Sequence, residues 1–148
     1  MTERAVIVGG GIAGSVAALE LRRAGVAVTV VEARSAASGG AVVRINPNGL
    51  DALRAIGAHQ AVIAASFPLL RFEWYVPTGR IGYRMTADPS ALRGTPRVMA
   101  WADPARVLQG EAARAGAVFR YDARVIETNE SADRAWALLA DGDTVEGV

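Results

Sequence analysis

The stretch Ala5–Arg34, AVIVGGGIAGSVAALELRRAGVAVTVVEAR, constrains this chain more than any other. Ala5 to Val8 is an apolar run suited to a strand buried on both faces, and glycines at positions 9, 11 and 14 follow it. Each glycine has its own physical task. Gly9 lets the chain reverse tightly, Gly11 lacks a side chain and so lets a pyrophosphate approach the backbone, and Gly14 lets the following helix pack closely on the strand. The helix start presents unpaired N–H groups and a positive dipole end to the phosphates.

A glycine triplet alone recurs in ordinary turns, but here its surroundings reinforce it. Ala18 and Leu21 place apolar groups on the sheet-facing side of the helix, Gly25 closes it, and Val26 to Val31 returns as a strand. Glu32 ends that strand, 18 positions beyond Gly14. The dinucleotide fingerprint places there an acidic residue that accepts hydrogen bonds from ribose hydroxyls. A carboxylate at that point repels a 2′-phosphate, so the expected ligand is FAD or NAD and not NADP. The plainer alternative is a strand, turn and helix with no ligand.

Gly9, Gly11, Gly14, Ala18, Leu21, Gly25, Val28 and Glu32 fit every position of the pattern GxGxxGxxxAxxLxxxGxxVxxxE. On these residues the chain resembles the FAD-dependent flavoproteins with two dinucleotide-binding domains. Within that group, GGAVVRINPNGLDALRAIG (39–57) resembles the class A flavoprotein monooxygenases, the aromatic hydroxylases related to para-hydroxybenzoate hydroxylase. The resemblance covers essentially the whole chain. It implies an α/β fold: a Rossmann-like FAD-binding parallel sheet with an inserted aromatic-rich β-hairpin and a C-terminal β-meander, incomplete relative to the family. Residues 1–148 would form the N-terminal part of an FAD-binding domain, with 69–86 resembling the start of the substrate-domain sheet.

The resemblance also implies that Gly9, Gly11, Ile12, Ala13, Gly14, Glu32, Ala33, Arg34 and Arg44 bind cofactor. Arg34 either reaches a phosphate or is solvated. Arg44 either touches the flavin or incoming nicotinamide cofactor or is an exposed edge-strand arginine. An intact relative would pass reducing equivalents from NADPH or NADH to FAD and hydroxylate a small aromatic or similar substrate through a flavin hydroperoxide. That chemistry belongs to the cofactor, and no residue is named as catalytic. Many relatives carry an FAD-contacting arginine where Trp101 stands here, leaving Arg97 or Arg106 as substitutes or a weakened flavin site.

Composition narrows the remaining classes. The chain has 51% hydrophobic residues, enough for a real core at 148 residues. A formal net charge of +1, with both signs interspersed, gives no electrostatic case for nucleic acid or an anionic membrane. Every basic residue is arginine, a bias read as genomic. No cysteine and a single histidine, His59, leave no thiolate or multi-histidine metal site and no histidine triad. No apolar run approaches spanning length, so a cytoplasmic location is the default expectation.

Along the chain, Arg34 to Gly40 reads as a loop and Ala41 to Ile45 as an extended segment. Asn46-Pro47 then opens a helix, Asn as cap and Pro at its first position, carrying Leu50, Leu53 and Ile56 to Gly57. His59 is placed at a helix exit, and Val62 to Ala65 continue helically until Pro68. Leu69–Val76 and Arg80–Met85 form a hairpin around Pro77-Thr78-Gly79. Its Phe72, Trp74, Tyr75 and Tyr83 either line an aromatic substrate pocket or serve as sheet core or packing between domains. Ala87 to Pro96 reads as a surface loop.

Asp103-Pro104 repeats the capping device for a helix with Val107, Leu108 and Ala112 inward and Gly116 beyond its end. Ala117 to Tyr121 rejoins the parallel sheet. Arg124–Ser131, Arg134–Ala140 and Thr144–Val148 form a meander with Asp141-Gly142-Asp143 as its last turn. The family would continue into a further parallel strand beside the first. Weak FAD binding and no turnover are therefore expected of this chain alone, with a second chain supplying the missing half as one alternative. Two other readings stand beside the monooxygenase: another FAD-dependent oxidoreductase of the superfamily, and a non-catalytic dinucleotide-binding module.

Overall fold

The computed structural model describes residues 3–35, 42–87, 94–100 and 103–147. The chain divides into two compact units, one formed by residues 1–39 and 102–148 and the other by residues 40–101.

In the first unit β1 (Arg4–Val8) leads through the glycine turn into α1 (Ile12–Arg23) and then β2 (Ala27–Val31). β2 pairs in parallel with β1 on one side and with β8 (Val118–Arg120) on the other. A strand paired on both edges is mostly apolar: Val28, Val30 and Val31 are buried, and Thr29 is half-buried. Helix α4 (Asp103–Arg114) packs against α1 and delivers the chain to β8. The buried positions of α1 are Ser15, Ala18 and Leu19, while Leu21 is only half-buried. Ala18 thus faces inward as expected, while Leu21 gives way to Ser15 and Leu19, because α1 faces both the sheet and α4.

Strands β9 (Val125–Glu130), β10 (Ala135–Leu139) and β11 (Thr144–Gly147) form the antiparallel meander. Its turn is as expected: Gly142 has φ +89° and donates its N–H to the Leu139 carbonyl. Leu139 and Val145 pack with Val31 and Ala123 in one buried cluster. Among the described residues β1 hydrogen-bonds as a strand to β2 alone. Its other edge is partly covered, since β11 crosses so closely that a Cβ at Gly147 would sit 2.9 Å from the Arg4 carbonyl oxygen. A groove of about 590 Å³ opens beside that edge, bordered by Val6, Thr128, Glu130 and Trp136 among others.

In the second unit β3 (Val42–Ile45), α2 (Pro47–Ala55), α3 (His59–Ala64), β4 (Phe67–Pro68) and β7 (Arg97–Ala100) build a small layer, with strand order β3-β7-β4. Leu50 and Val62 are its fully buried aliphatic anchors. Pro47 opens α2 as expected, but the Asn46 side chain makes no capping bond. Its Oδ1 instead accepts from Arg44 Nε at 2.7 Å. His59 begins α3 and does not end a helix. Strands β5 (Arg71–Tyr75) and β6 (Ile81–Thr86) form the expected hairpin, with Trp74 opposite Tyr83. The loop over 87–96 falls largely on residues outside those described, as do Trp101 and most of the loop from Arg34 to Gly40.

Candidate functional site

The geometry of the glycine turn follows from what each position excludes. Gly9 has φ +98°, a conformation that side chains rarely tolerate, and donates its N–H to the Val31 carbonyl at 2.8 Å. A Cβ on Gly14 would fall 1.9 Å from the Gly9 carbonyl oxygen. No residue but glycine lets α1 approach the turn so closely. At Gly11, by contrast, a Cβ would meet nothing within 4 Å. The backbone there faces open space.

Helix α1 begins at that open face with Gly11 as its N-cap and no side-chain capping bond, and its first turn holds no acidic residue. The first N–H groups of a helix have no intrahelical partner, so those of the Ile12 and Ala13 turn remain available to an anion. Nothing negative in the turn competes for them.

Glu32 stands beside this corner at the end of β2. Its Oε2 accepts the Gly10 N–H at 2.8 Å and its Oε1 accepts the Arg34 N–H at 2.9 Å. A carboxylate has roughly four acceptor sites, so each oxygen retains capacity for one more donor. Two adjacent hydroxyls on one sugar suit that remaining pair. Ala33 is half-buried and the Arg34 side chain exposed.

Three further residues, which sequence reasoning missed, lock the turn from behind. The Gly10 carbonyl accepts from Gln109 Nε2 at 2.6 Å and from Ser15 Oγ at 3.1 Å. The Tyr121 hydroxyl in turn donates to Gln109 Oε1 at 3.2 Å. Burial and the nearby Glu32 charge push that hydroxyl's pKa up. The available signals were a polar residue on the inward stripe of α4 and an aromatic at the carboxyl end of a parallel strand, where open α/β sheets bind ligands.

Arg44 lies in the other unit, exposed on edge strand β3, with its guanidinium 5.6 Å from the Phe72 ring centroid. Arg97 is committed within its own unit, donating to Ser66 Oγ at 2.7 Å and to the Ile63 carbonyl at 3.1 Å. Arg106 pairs with Asp103 at 2.7 Å. The hairpin aromatics are not sheet core: Trp74, Tyr75 and Tyr83 are 64%, 56% and 54% exposed. Between them Glu73 gathers Tyr75 Oη, Arg71 and Arg84, which together hold its pKa down to about 2. His59 is held below its ordinary value by burial and by the charges of Arg54 and Arg97.

The sequence profile of the FAD binding domain family matches residues 2–147. The chain belongs to that family. Solved structures agree on the fold. A tetrameric 2-methyl-3-hydroxypyridine-5-carboxylic acid oxygenase superimposes with a TM-score of 0.80 at 24% identity, over 99% of this chain and 38% of its own. The p-nitrophenol 4-monooxygenase of Pseudomonas putida gives 0.77 at 22%, over 99% and 38%. The Diels-Alderase of pyrroindomycin biosynthesis gives 0.76 at 22%, over 99% and 31%. This FAD binding domain thus spans less than two fifths of the length of these structures. A search of curated proteins finds no match. The resemblance to flavoprotein monooxygenases is borne out, and so is the α/β architecture with its parallel sheet, hairpin and meander. No helix among the described residues is long and apolar enough to cross a membrane.

Proposed function

We propose that this chain is the part of an NAD(P)H-dependent flavoprotein monooxygenase that holds the AMP and diphosphate portion of FAD. The observation that carries the reading is the pairing of Glu32, with one spare acceptor site on each oxygen, and the uncapped start of α1 at the open face of Gly11. Gly9 and Gly14 shape the turn, Gly11 admits the diphosphate, and the N–H groups around Ile12 and Ala13 receive it. Glu32 accepts the ribose hydroxyls, Ala33 and Arg34 border the adenosine end, and Arg44 serves the flavin or the nicotinamide. FAD supplies the redox and oxygen chemistry when bound. The residues of this chain bind and orient it.

The substrate is a small aromatic or similar organic molecule, and NADPH or NADH is the reductant. The hairpin over 69–86 begins the sheet that covers the substrate, consistent with its exposed aromatics. The protein works in the cytoplasm, on neither nucleic acid nor membrane. By itself the chain binds FAD weakly and does not turn over, and a second chain supplying the rest of the enzyme is one route to activity. The test is equilibrium titration of FAD with the purified chain, together with flavin content after gel filtration. Saturable FAD binding that Glu32→Ala abolishes supports the reading. No binding at any attainable concentration refutes it, and a stoichiometric yellow monomer oxidising NADPH refutes the inactivity.

A further inference from the structure

Gly10 lies between two other glycines, where the backbone has the greatest freedom to rotate, yet the peptides on both its sides are held. Its N–H donates to Glu32 and its carbonyl accepts from Gln109 and Ser15. We propose that Gln109, far along the chain on α4, is a positioning residue for the dinucleotide. It keeps the Gly10 carbonyl turned into the protein, so that the turn offers N–H groups to the diphosphate. The proposal rests on the reading of this site as an FAD site.

Electrostatics gives the lock its purpose. If the peptide joining Gly10 to Gly11 rotated, the Gly10 carbonyl dipole would face the anion and the Gly11 N–H would turn away from it. Both changes disfavour the ligand. Gln109 is suited to prevent them because it is buried, so its hydrogen bond is shielded from water. Its amide can be placed only one way. With Nε2 and Oε1 exchanged, two oxygens would oppose each other at the Gly10 carbonyl, while Tyr121 already donates to Oε1. Packing alone does not require an amide here, since the neighbouring buried positions of α4, Leu108 and Ala112, are apolar. A Cβ at Gly10 would lie 3.3 Å from Glu32 Cβ and 3.4 Å from Gln109 Nε2, so the peptide is closely flanked by both partners.

Two substitutions separate positioning from packing. Gln109→Met keeps length and volume but cannot donate. Gln109→Glu keeps shape and can donate only when protonated; once ionised it opposes the Gly10 carbonyl and the Glu32 carboxylate. Glu32 at the end of β2 and Tyr121 after β8 are the titratable groups facing it. Each variant is titrated with FAD from about pH 5 to about pH 9, and the orientation of the Gly10–Gly11 peptide is followed by NMR without FAD, from the contact between Gly10 Hα and the Gly11 N–H. Gln109→Met should weaken FAD binding about tenfold at every pH and let that peptide sample the turned orientation. Gln109→Glu should match the parent at low pH and lose affinity as its carboxyl ionises, a transition absent from the parent. Because that contrast is read within one protein, it survives any failure of Gln109→Met to fold. Unchanged affinity in both variants, while the parent binds FAD, overturns the role of Gln109 alone. An unchanged Gly10–Gly11 peptide orientation in Gln109→Met overturns the lock whether or not FAD binds. A parent that ignores FAD while that orientation still responds overturns the FAD reading and the ligand role together.

Discussion

Replacing Gly11 or Gly14 by alanine adds the same methyl group three residues apart, with opposite consequences. At Gly14 the new Cβ would lie 1.9 Å from the Gly9 carbonyl oxygen and 3.1 Å from its carbon, both backbone atoms that cannot rotate away. Cβ contacts below 3.0 Å are essentially never seen, so α1 must retreat from the turn by roughly 1 Å, a large strain in a close-packed interior. Overpacking of this kind costs about 3 kcal/mol, a substantial part of a stability of roughly 5–15 kcal/mol. At Gly11 the Cβ meets nothing within 4 Å and φ is −70°, ordinary for any residue. Stability should therefore stay within about 0.5 kcal/mol of the parent.

The ligand reverses that order of tolerance. The methyl at position 11 occupies the space through which the diphosphate reaches the first N–H groups of α1. Losing those charge-assisted bonds should weaken FAD by about 3 kcal/mol, roughly a hundredfold. Urea denaturation followed by tryptophan fluorescence gives the stabilities, and quenching of flavin fluorescence gives the affinities. Gly11→Ala should be folded and bind FAD roughly a hundredfold more weakly, while Gly14→Ala should be unstable. A Gly11→Ala protein that binds FAD like the parent, or a Gly14→Ala protein as stable as the parent, would refute the reasoning.

Other perturbations probe single groups. Glu32→Gln keeps an acceptor for one backbone N–H but loses the charge and half the acceptor capacity, so FAD affinity should fall about tenfold in the same titration. Arg97→Lys replaces a fork serving Ser66 Oγ and two carbonyls by a point donor, and should cost about 1–3 kcal/mol in denaturation, with FAD affinity unchanged. Glu73 should titrate near pH 2 by NMR, below its ordinary 4.5. Because its folded-state pKa is depressed, the stabilisation it brings to the hairpin is complete above the ordinary value and disappears as pH falls through about 2. Tyr75→Phe removes the largest cause of the depression and should move that titration upward; an unmoved titration would show that the hydroxyl is not what holds it.

What was legible in the sequence was what neighbouring residues decide. Gly9, Gly25, Gly57, Gly79, Gly116 and Gly142 all have positive φ, at the turns and helix ends where glycine was read as punctuation. Pro47 at the start of α2 and the pairing of β5 with β6 as a hairpin follow the same local chemistry. The illegible features are those where another residue competes for a group. Asn46 was the obvious cap, but Arg44 holds its oxygen. Leu21 had the right spacing to face the sheet, but α4 lies against α1 as well and moves the buried stripe to Ser15, Ala18 and Leu19.

The site divides along the same line. Its shape is local, since the turn, the open face and the Glu32 bond to Gly10 all come from the first βαβ unit. Its rigidity is not. Gln109 is 99 positions from Gly10 in sequence, and it arrives only because α4 packs on α1 while β8 completes the sheet beside β2. No periodicity in α4 distinguishes an inward glutamine that bonds a carbonyl from one that merely interrupts an apolar stripe. On the proposed reading, the glycine pattern sets where a diphosphate would rest. Whether the central peptide of the turn keeps its orientation depends on the second half of the same unit, so removing α4 should disable the site even with every residue of the fingerprint in place.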